Sequence, residues 1–310
     1  MGGGCGAGSR SPAGWCTSTP RDDTWWRSAE WTSGMRTAKQ YYLRKAKCEM
    51  TTIAIMNLKG GVGKTVTAIN LADVLAAAGK RTLLVDCDGQ MSLTRFYLPD
   101  LDPDATPTLE GVLLGTAEPC WDDNIQEISD KVWLLPGSSG LYRMDVAAVR
   151  GTGAGWQKAM RDYRDAVAED GEVDYLVFDC PPGFTCASIA ALMAADDVVI
   201  PMLVDGFSLW GVTDLAAQIN SIKSANPRIR VAGVLITQWH RCDAVQQGEA
   251  LLRSLGLPVF RTVIRRTDKI PESTFDRSSI RDYSPRSAAS LDYQAWVAEY
   301  LHEEVQHGEI

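Results

Sequence analysis

The sequence predicts an α/β fold: a doubly wound, mostly parallel sheet flanked by helices. Three observations predict it. From Met50 onward, short apolar runs alternate with longer segments suited to helices, the order that produces parallel strands joined by crossover helices. Several of the runs, among them RTLLVD (81–86), DYLVFD (174–179) and DVVIPM (197–202), are continuously apolar rather than alternating. Strands covered by helices on both faces read this way. Finally, the run Asn57-Leu58-Lys59-Gly60-Gly61-Val62-Gly63-Lys64-Thr65 lies between the first strand and the first helix. A strand, a glycine-rich loop and a helix, in that order, are the context of a phosphate-binding loop.

The elements follow in sequence. The apolar run at 52–57 is the first strand, and a helix over 65–78 opens directly from the glycine loop. Strand 81–86 follows and ends on an acid, then a short helix at 108–114 and a strand at 132–135. Helices at 141–149 and 156–169 lead into strand 174–179, which also ends on an acid. Helix 186–194, strand 197–202, helix 208–224 and strand 230–236 continue the alternation. Helix 243–254, a last strand at 259–263 and a long helix at 287–305 complete it. In such a sheet the ligand sits at the carboxyl ends of the strands. No internal repeat is visible.

Residues 1–49 differ from the rest. They begin MGGGCGAGS, hold four of the ten tryptophans, and sustain no period of two or 3.6. The reading is a disordered N-terminal extension ahead of one domain over 50–310. Translation upstream of a start at Met50, or a partner-binding arm, are the alternatives.

The 310 residues suffice for one large α/β domain, and 45% hydrophobic with 23% charged residues is ordinary for a globular protein. No apolar run approaches the roughly 20 residues of a membrane span, and the N-terminus offers no apolar signal segment. Eight cysteines are scattered without a C-x-x-C pair. That pattern suits reduced thiols in a cytoplasmic protein and argues against zinc or an iron–sulfur cluster.

The net charge of −8 is unevenly spread. Residues 1–49 carry eight basic and four acidic groups, which leaves 23 basic and 35 acidic groups for 50–310. Within that acidic body, residues 253–286 hold eight basic side chains against four acids. A basic island on an acidic protein can bind a polyanion, although exposed loops also collect charge without function.

The loop's chemistry can be read residue by residue. Gly60, Gly61 and Gly63 let successive backbone N–H groups turn inward where side chains would collide. The following helix N-terminus adds its positive dipole end and Lys64 a full charge, while Thr65 offers a hydroxyl to a nucleotide-bound Mg²⁺. The loop departs from the common phosphate-loop pattern in having Leu58 at the first glycine position, with a second lysine, Lys59, after it. Strand 81–86 ends Asp86-Cys87-Asp88-Gly89-Gln90, and strand 174–179 ends Asp179-Cys180-Pro181-Pro182-Gly183. Parallel strands bring Asp86, Asp88 and Asp179 to the same rim as the loop. An acid ending one strand is commonly only a cap or turn residue; three beside a phosphate loop suit a Mg²⁺ site.

From Met50 to about Leu301 the chain resembles the ParA/Soj family of deviant Walker A ATPases, which partition plasmids and chromosomes and are related to MinD. The resemblance rests on an ordered set: KGGVGKT (59–65), TAINLADVLAAAGKRTLLVD (67–86), DCDGQMSLT (86–94), DYLVFDCPPGF (174–184), AADDVVIPM (194–202), GVLIT (233–237), FRTVIRR (260–266) and YSPRSAAS (283–290). It implies ATP and Mg²⁺ as cofactors and nucleotide binding by Lys59, Gly60, Gly61, Val62, Gly63, Lys64, Thr65 and Val66. Lys64 would meet the β- and γ-phosphates. Lys59 matches the family's signature lysine, which reaches the other subunit's phosphates and offsets charge developing in phosphoryl transfer. Asp88 matches the acid that positions the attacking water. Asp179 matches the Walker B acid that holds Mg²⁺ through water, and Thr65 and Asp86 complete the metal set. Lys59, Lys64 and Asp88 are thus the catalytic candidates.

The resemblance also implies a homodimer formed on ATP binding, non-specific DNA as ligand, a ParB-like centromere-binding partner that stimulates hydrolysis, slow turnover without it, and a cytoplasmic, nucleoid-associated protein. Arg266 and Lys269 lie in the family's DNA-binding segment, with Arg253, Arg277, Arg281 and Arg286 as further candidates; Arg286 could instead secure a helix start. The chain departs from the family pattern at Gly89, where Pro is usual, at Arg265-Arg266-Thr267 in place of Pro-Arg-Asn, and over Pro271–Ile280. Thr237, Gln238 and Arg265 fall near the position of the adenine.

A MinD-like membrane-positioning ATPase is the alternative, as is a metabolic P-loop ligase. The first needs a basic amphipathic C-terminal helix, whereas 296–310 holds four glutamates and no Lys or Arg. The second gives no reason for Lys59, and iron–sulfur carrier ATPases would need the missing C-x-x-C pair.

Overall fold

The computed structural model describes residues 50–117, 124–151 and 155–308, the last six without their side chains. The expectations for residues 1–49 lie outside the described residues. Seven strands form one sheet: β1 (Thr51–Ile55), β2 (Thr82–Asp86), β3 (Gln126–Ser129), β4 (Val132–Leu135), β5 (Tyr175–Asp179), β6 (Asp197–Leu203) and β7 (Arg230–Thr237). Their order is β3-β4-β2-β5-β1-β6-β7, parallel throughout except for the β3–β4 hairpin. The fold class is therefore as predicted. All five residues of β2 and of β5 are buried, which accounts for their unbroken apolar sequences.

One face of the sheet carries α1 (Lys64–Ala77), α2 (Ser92–Tyr97) and α11 (Ala288–Gly308). Here Ile53, Ile55, Leu84 and Val177 pack on Leu71, Leu75, Tyr293 and Trp296, all at most 2% exposed. The other face carries α3 (Leu109–Leu114), α4 (Gly140–Val149), α5 (Trp156–Asp170), α6 (Cys186–Ala194), α7 (Ser208–Ile222) and α8 (Asp243–Ser254). The two core layers leave the carboxyl ends of the parallel strands free to hold loops on one rim.

Most predicted elements fall within one or two residues of their positions. The predicted strand at 259–263 does not form. That segment touches the sheet edge at two isolated bridges, Val234 with Val259 and Trp239 with Arg265. Between them the Phe260 ring turns under β7, so close to Gly233 that an added Cβ there would lie 2.7 Å from it. The segment thus plugs the core instead of extending the ladder. The hairpin strand β3 was not predicted, because four residues of alternating intermediate and exposed positions give little apolar signal. Nor were α2 and the short helices α9 (Lys269–Asp276) and α10 (Ile280–Tyr283). Pro271 is the third residue of α9, where a backbone N–H has no intrahelical acceptor to lose.

Candidate nucleotide site

The site is built where β1 ends. Asn57 fixes the start of the loop: its amide donates to the Pro201 carbonyl at 2.7 Å and its Oδ1 accepts from the Lys59 N–H at 2.9 Å. From the far side, the Thr237 hydroxyl donates to the Val62 carbonyl and the Gln238 side chain to the Gly61 carbonyl, both at 2.9 Å. Three strands therefore hold one loop. Gly61 and Gly63 have φ of 73° and 87°, the left-handed region that glycine enters without strain. An added Cβ at Gly60, Gly61 or Gly63 would meet no other atom within 4 Å, so the loop is bounded by backbone on its open side. Gly63 caps α1 without a side-chain hydrogen bond, leaving the first N–H groups of a 14-residue helix for an anion.

Lys64 is buried and donates to the Lys59 carbonyl at 3.1 Å. Burial lowers its pKa, while the charges of Asp179 and Asp88 resist the shift. Asp179 lies between its neighbours as the sheet order requires, in register with Asp86 on one side and Ile55 on the other. Its side chain is fully enclosed and neither carboxylate oxygen has a hydrogen-bond partner at bonding geometry. Burial, and then the charge of Asp86, push its pKa well above the carboxylate range, against the pull of the nearby Thr65 hydroxyl and Lys64. A buried carboxylate with unsatisfied oxygens beside a hydroxyl and a phosphate loop fits a hydrated divalent cation, which takes few ligands from protein. Among the described residues, no group of three or more His, Cys, Asp or Glu is placed to hold a metal.

Asp86 has a different situation. Its Oδ1 accepts from the Asp88 N–H at 3.1 Å, and its Oδ2 accepts from the Thr94 N–H at 2.8 Å and the Thr94 hydroxyl at 2.7 Å. Thr94 in turn accepts from the Gly137 N–H at 2.9 Å. Burial raises the Asp86 carboxyl from 3.8 to about 6, opposed by the Thr94 hydrogen bonds. These bonds make Asp86 the clamp that sets the loop carrying Asp88. Asp88 itself is half-buried, and its Oδ1 accepts from the Gln90 N–H at 2.9 Å. The Tyr142 ring lies over Gly89, where an added Cβ would come within 2.8 Å of it. A residue without a Cβ therefore stands where the family usually has proline. Sequence reading missed Thr94 and Asn57 as site residues, although both lie inside the quoted motifs.

Lys59 lies at the outer lip. Its ammonium is ion-paired with Asp205, with Ser208 Oγ at 3.3 Å. Asp205 also accepts from the Phe207 and Ser208 N–H groups and the Ser208 hydroxyl. Although partial burial opposes ionisation, the Lys59 and Ser208 hydrogen bonds hold its carboxyl down at about 2.

The basic island divides. Arg281 forms a bidentate pair with Asp73 at 2.7 and 2.8 Å, and Arg253 is held by Glu249 and the carbonyls of Phe260 and Arg261. Arg265 is tied to Asp292 through both oxygens, which directs it to α11. Lys269 pairs with Glu272 on the surface at 2.6 Å, a contact of small worth. Among the described residues of this segment, Arg261, Arg266, Arg277 and Arg286 are exposed with no salt-bridge partner. A cavity of about 750 Å³ lies elsewhere, between α1, the β3–β4 turn and α10. It contains the Asp73–Arg281 pair and none of the loop residues.

A parallel sheet, a glycine loop capping a helix, an ammonium and a buried acid at the next strand end define a P-loop nucleotide-binding protein. Residues 50–231 match the family described as AAA domain. The chromosome partitioning protein ParA of Caulobacter vibrioides is 31% identical over 258 residues, covering 82% of this chain and 95% of that protein. The chromosome-partitioning ATPase Soj of Thermus thermophilus is 34% identical over 259 residues, 82% and 97% of the two chains. Among solved structures, cobyrinic acid a,c-diamide synthase from Mycobacterium smegmatis with bound ADP and magnesium superposes with a TM-score of 0.66 at 27% identity, covering 81% of this chain and 93% of that one. The chain belongs to the ParA/Soj family of P-loop ATPases.

Proposed function

We propose that this protein is an ATP-driven DNA-partitioning switch: ATP closes two chains face to face, the closed dimer holds DNA without sequence preference, and hydrolysis releases it. The observation that carries the reading is Lys59, a second loop lysine at the lip of the site, 42% exposed in its side chain and held, among the described residues, by Asp205 and Ser208. A cation that served its own nucleotide alone would have no need of a place outside the cradle. In a closed dimer it meets the other subunit's phosphates and offsets charge that develops there.

The remaining roles follow from the chemistry. The backbone of Gly60–Gly63, with Lys64 and Val66 at the helix start, binds the β- and γ-phosphates. Thr65 and Asp179 would hold Mg²⁺, Asp179 through water, with Asp86 supporting the site by fixing its loop. When bound, the ion supplies charge neutralisation to the phosphate oxygens. Asp88 orients the attacking water, and a free chain turns over slowly until a ParB-like partner docks. Arg266, Arg277 and Arg286, with Lys269 released from its surface pair, supply the DNA contacts. These are phosphate contacts, so binding falls steeply with salt. Arg253 and Arg281 brace the body instead.

Co-sedimentation with DNA in ATP, in ADP and without nucleotide tests the proposal. ATP-selective binding is expected; equal binding in all three states would refute the switch.

A further inference from the structure

The loop that carries Asp88 turns back on itself directly after it. The Met91 N–H donates to the Asp88 carbonyl at 2.8 Å and the Gln90 N–H to Asp88 Oδ1 at 2.9 Å. Asp88–Met91 is thus a β-turn with Gly89 as its second residue. Proline stiffens that position best, and glycine leaves it loosest. The backbone does not call for glycine here. Gly89 lies outside the left-handed region, and its N–H enters no hydrogen bond among the described residues. What excludes a side chain is Tyr142. An added Cβ on Gly89 would stand 2.8 Å from two carbons of that ring and 3.0 Å from a third, so the ring lies directly against the buried glycine.

Tyr142 reaches the loop from the first turn of α4, which is anchored on both sides of it. Leu141 is buried in the core. Arg143 meets both oxygens of Glu110 at 3.2 and 3.3 Å. Glu110 also accepts from the Ser138 hydroxyl at 2.8 Å, and the Ser138 oxygen accepts from the Gly140 N–H at 3.2 Å. Just before, the Gly137 N–H is bonded to Thr94, the partner of Asp86. The start of α4 therefore meets the catalytic loop twice, once at the Asp86 clamp and once at Gly89. We infer that Tyr142 is a positioning residue for hydrolysis: its ring braces the second residue of the Asp88–Met91 turn and so fixes the carboxylate that orients the attacking water. The inference rests on the reading of Asp88 as that carboxylate. Ring carbons make the contact, so shape carries it and the hydroxyl is not needed. Tyr142 is 42% exposed, so truncating it costs the core little and the effect falls on the turn. Glycine makes room for the ring, and the ring supplies the stiffness that glycine withholds.

The test follows a single turnover of ATP with Mg²⁺ by the full chain. Tyr142→Ala should slow hydrolysis at least about tenfold, because a reacting group held loosely loses rate steeply, while ATP affinity stays within about twofold of wild type. Tyr142→Phe should hydrolyse as wild type does. Adding Gly89→Pro to Tyr142→Ala should bring the rate back to within about threefold, since proline stiffens the turn from within and fills the space the ring leaves. A purely structural role for the ring predicts no such rescue. Asp88→Ala separates the two readings. If it abolishes hydrolysis and Tyr142→Ala does not slow it, the brace is wrong and Asp88 keeps its role. If Asp88→Ala hydrolyses as wild type does, the reading of Asp88 falls and the inference with it. Amide hydrogen exchange of the nucleotide-free protein reads the turn without any turnover: the Met91 N–H should exchange at least about tenfold faster in Tyr142→Ala and slow again in the double variant. Equal protection of Met91 in wild type and Tyr142→Ala overturns the inference, as does a Tyr142→Ala chain that loses ATP affinity as steeply as rate.

Discussion

Thr94→Val probes the clamp behind the catalytic loop. The substitution keeps the shape of a fully buried side chain and removes one hydroxyl. That hydroxyl donates to Asp86 at 2.7 Å and accepts from Gly137 N–H at 2.9 Å. A hydrogen bond to a charged group contributes about 1.5–3 kcal/mol, and a stranded buried N–H costs about 1–3 kcal/mol. The two overlap, so a loss of about 2–4 kcal/mol is expected at pH 7.5. In a domain of this size that lowers the melting temperature by roughly 4–16 °C. The effect has a pH signature. The Asp86 carboxyl is raised from 3.8 to about 6 in the folded protein. Its contribution to stability is fully present below 3.8 and is lost as the pH rises through about 6, a total of about 3 kcal/mol. The Thr94 hydroxyl bond favours the ionised form, so its loss raises the carboxyl further, while the Thr94 N–H bond remains. The penalty is largest where Asp86 is charged and shrinks at pH 5, where the folded state holds its proton. Urea unfolding of the nucleotide-free protein at both pH values measures this. A loss below about 0.5 kcal/mol at pH 7.5, or equal losses at both pH values, would show that the clamp does not act through the Asp86 charge.

Other outcomes follow from the same geometry. Asp179→Asn removes a buried carboxylate without hydrogen-bond partners whose pKa burial and Asp86 raise; the nucleotide-free protein should lose less stability between pH 5 and 8 than wild type, while Mg²⁺-dependent affinity for ATP falls at least about tenfold, by calorimetry. An unchanged pH profile would contradict its raised pKa. Asp205→Ala frees Lys59 but strips the first turn of α7 of its cap. The melting point should drop by the equivalent of about 1 kcal/mol while ATP-dependent dimerisation strengthens, and a weaker dimer would show that Asp205 is not a restraint. Arg266→Glu with Arg286→Glu should reduce both DNA affinity and its dependence on log salt, by about one unit of slope per lost contact; an unaltered slope places the DNA elsewhere.

The local sequence determined the phosphate loop, its acids and the alternation of strands and helices. Glycines at fixed positions, an acid closing an apolar run and a lysine opening a helix are short-range patterns, and each keeps its meaning without knowledge of its neighbours. The register of β2, β5 and β1, which sets Asp86 beside Asp179, follows from parallel pairing of runs whose lengths were already visible. Elements with weak local patterns were not legible: β3 has four residues, α2 has six, and the 259–263 run behaves as a core plug once Phe260 meets Gly233. The basic island shows the same limit. Its eight cations look alike in sequence, yet Arg281 serves Asp73 and Arg265 serves Asp292, partners 208 and 27 residues away. Tertiary structure alone decided which charges remain free, that Thr94 joins Asp86 to Gly137, and that Asp205 lies 146 residues from the lysine it restrains. A side chain's chemistry is local, but its partner is set by where the sheet brings distant loops together.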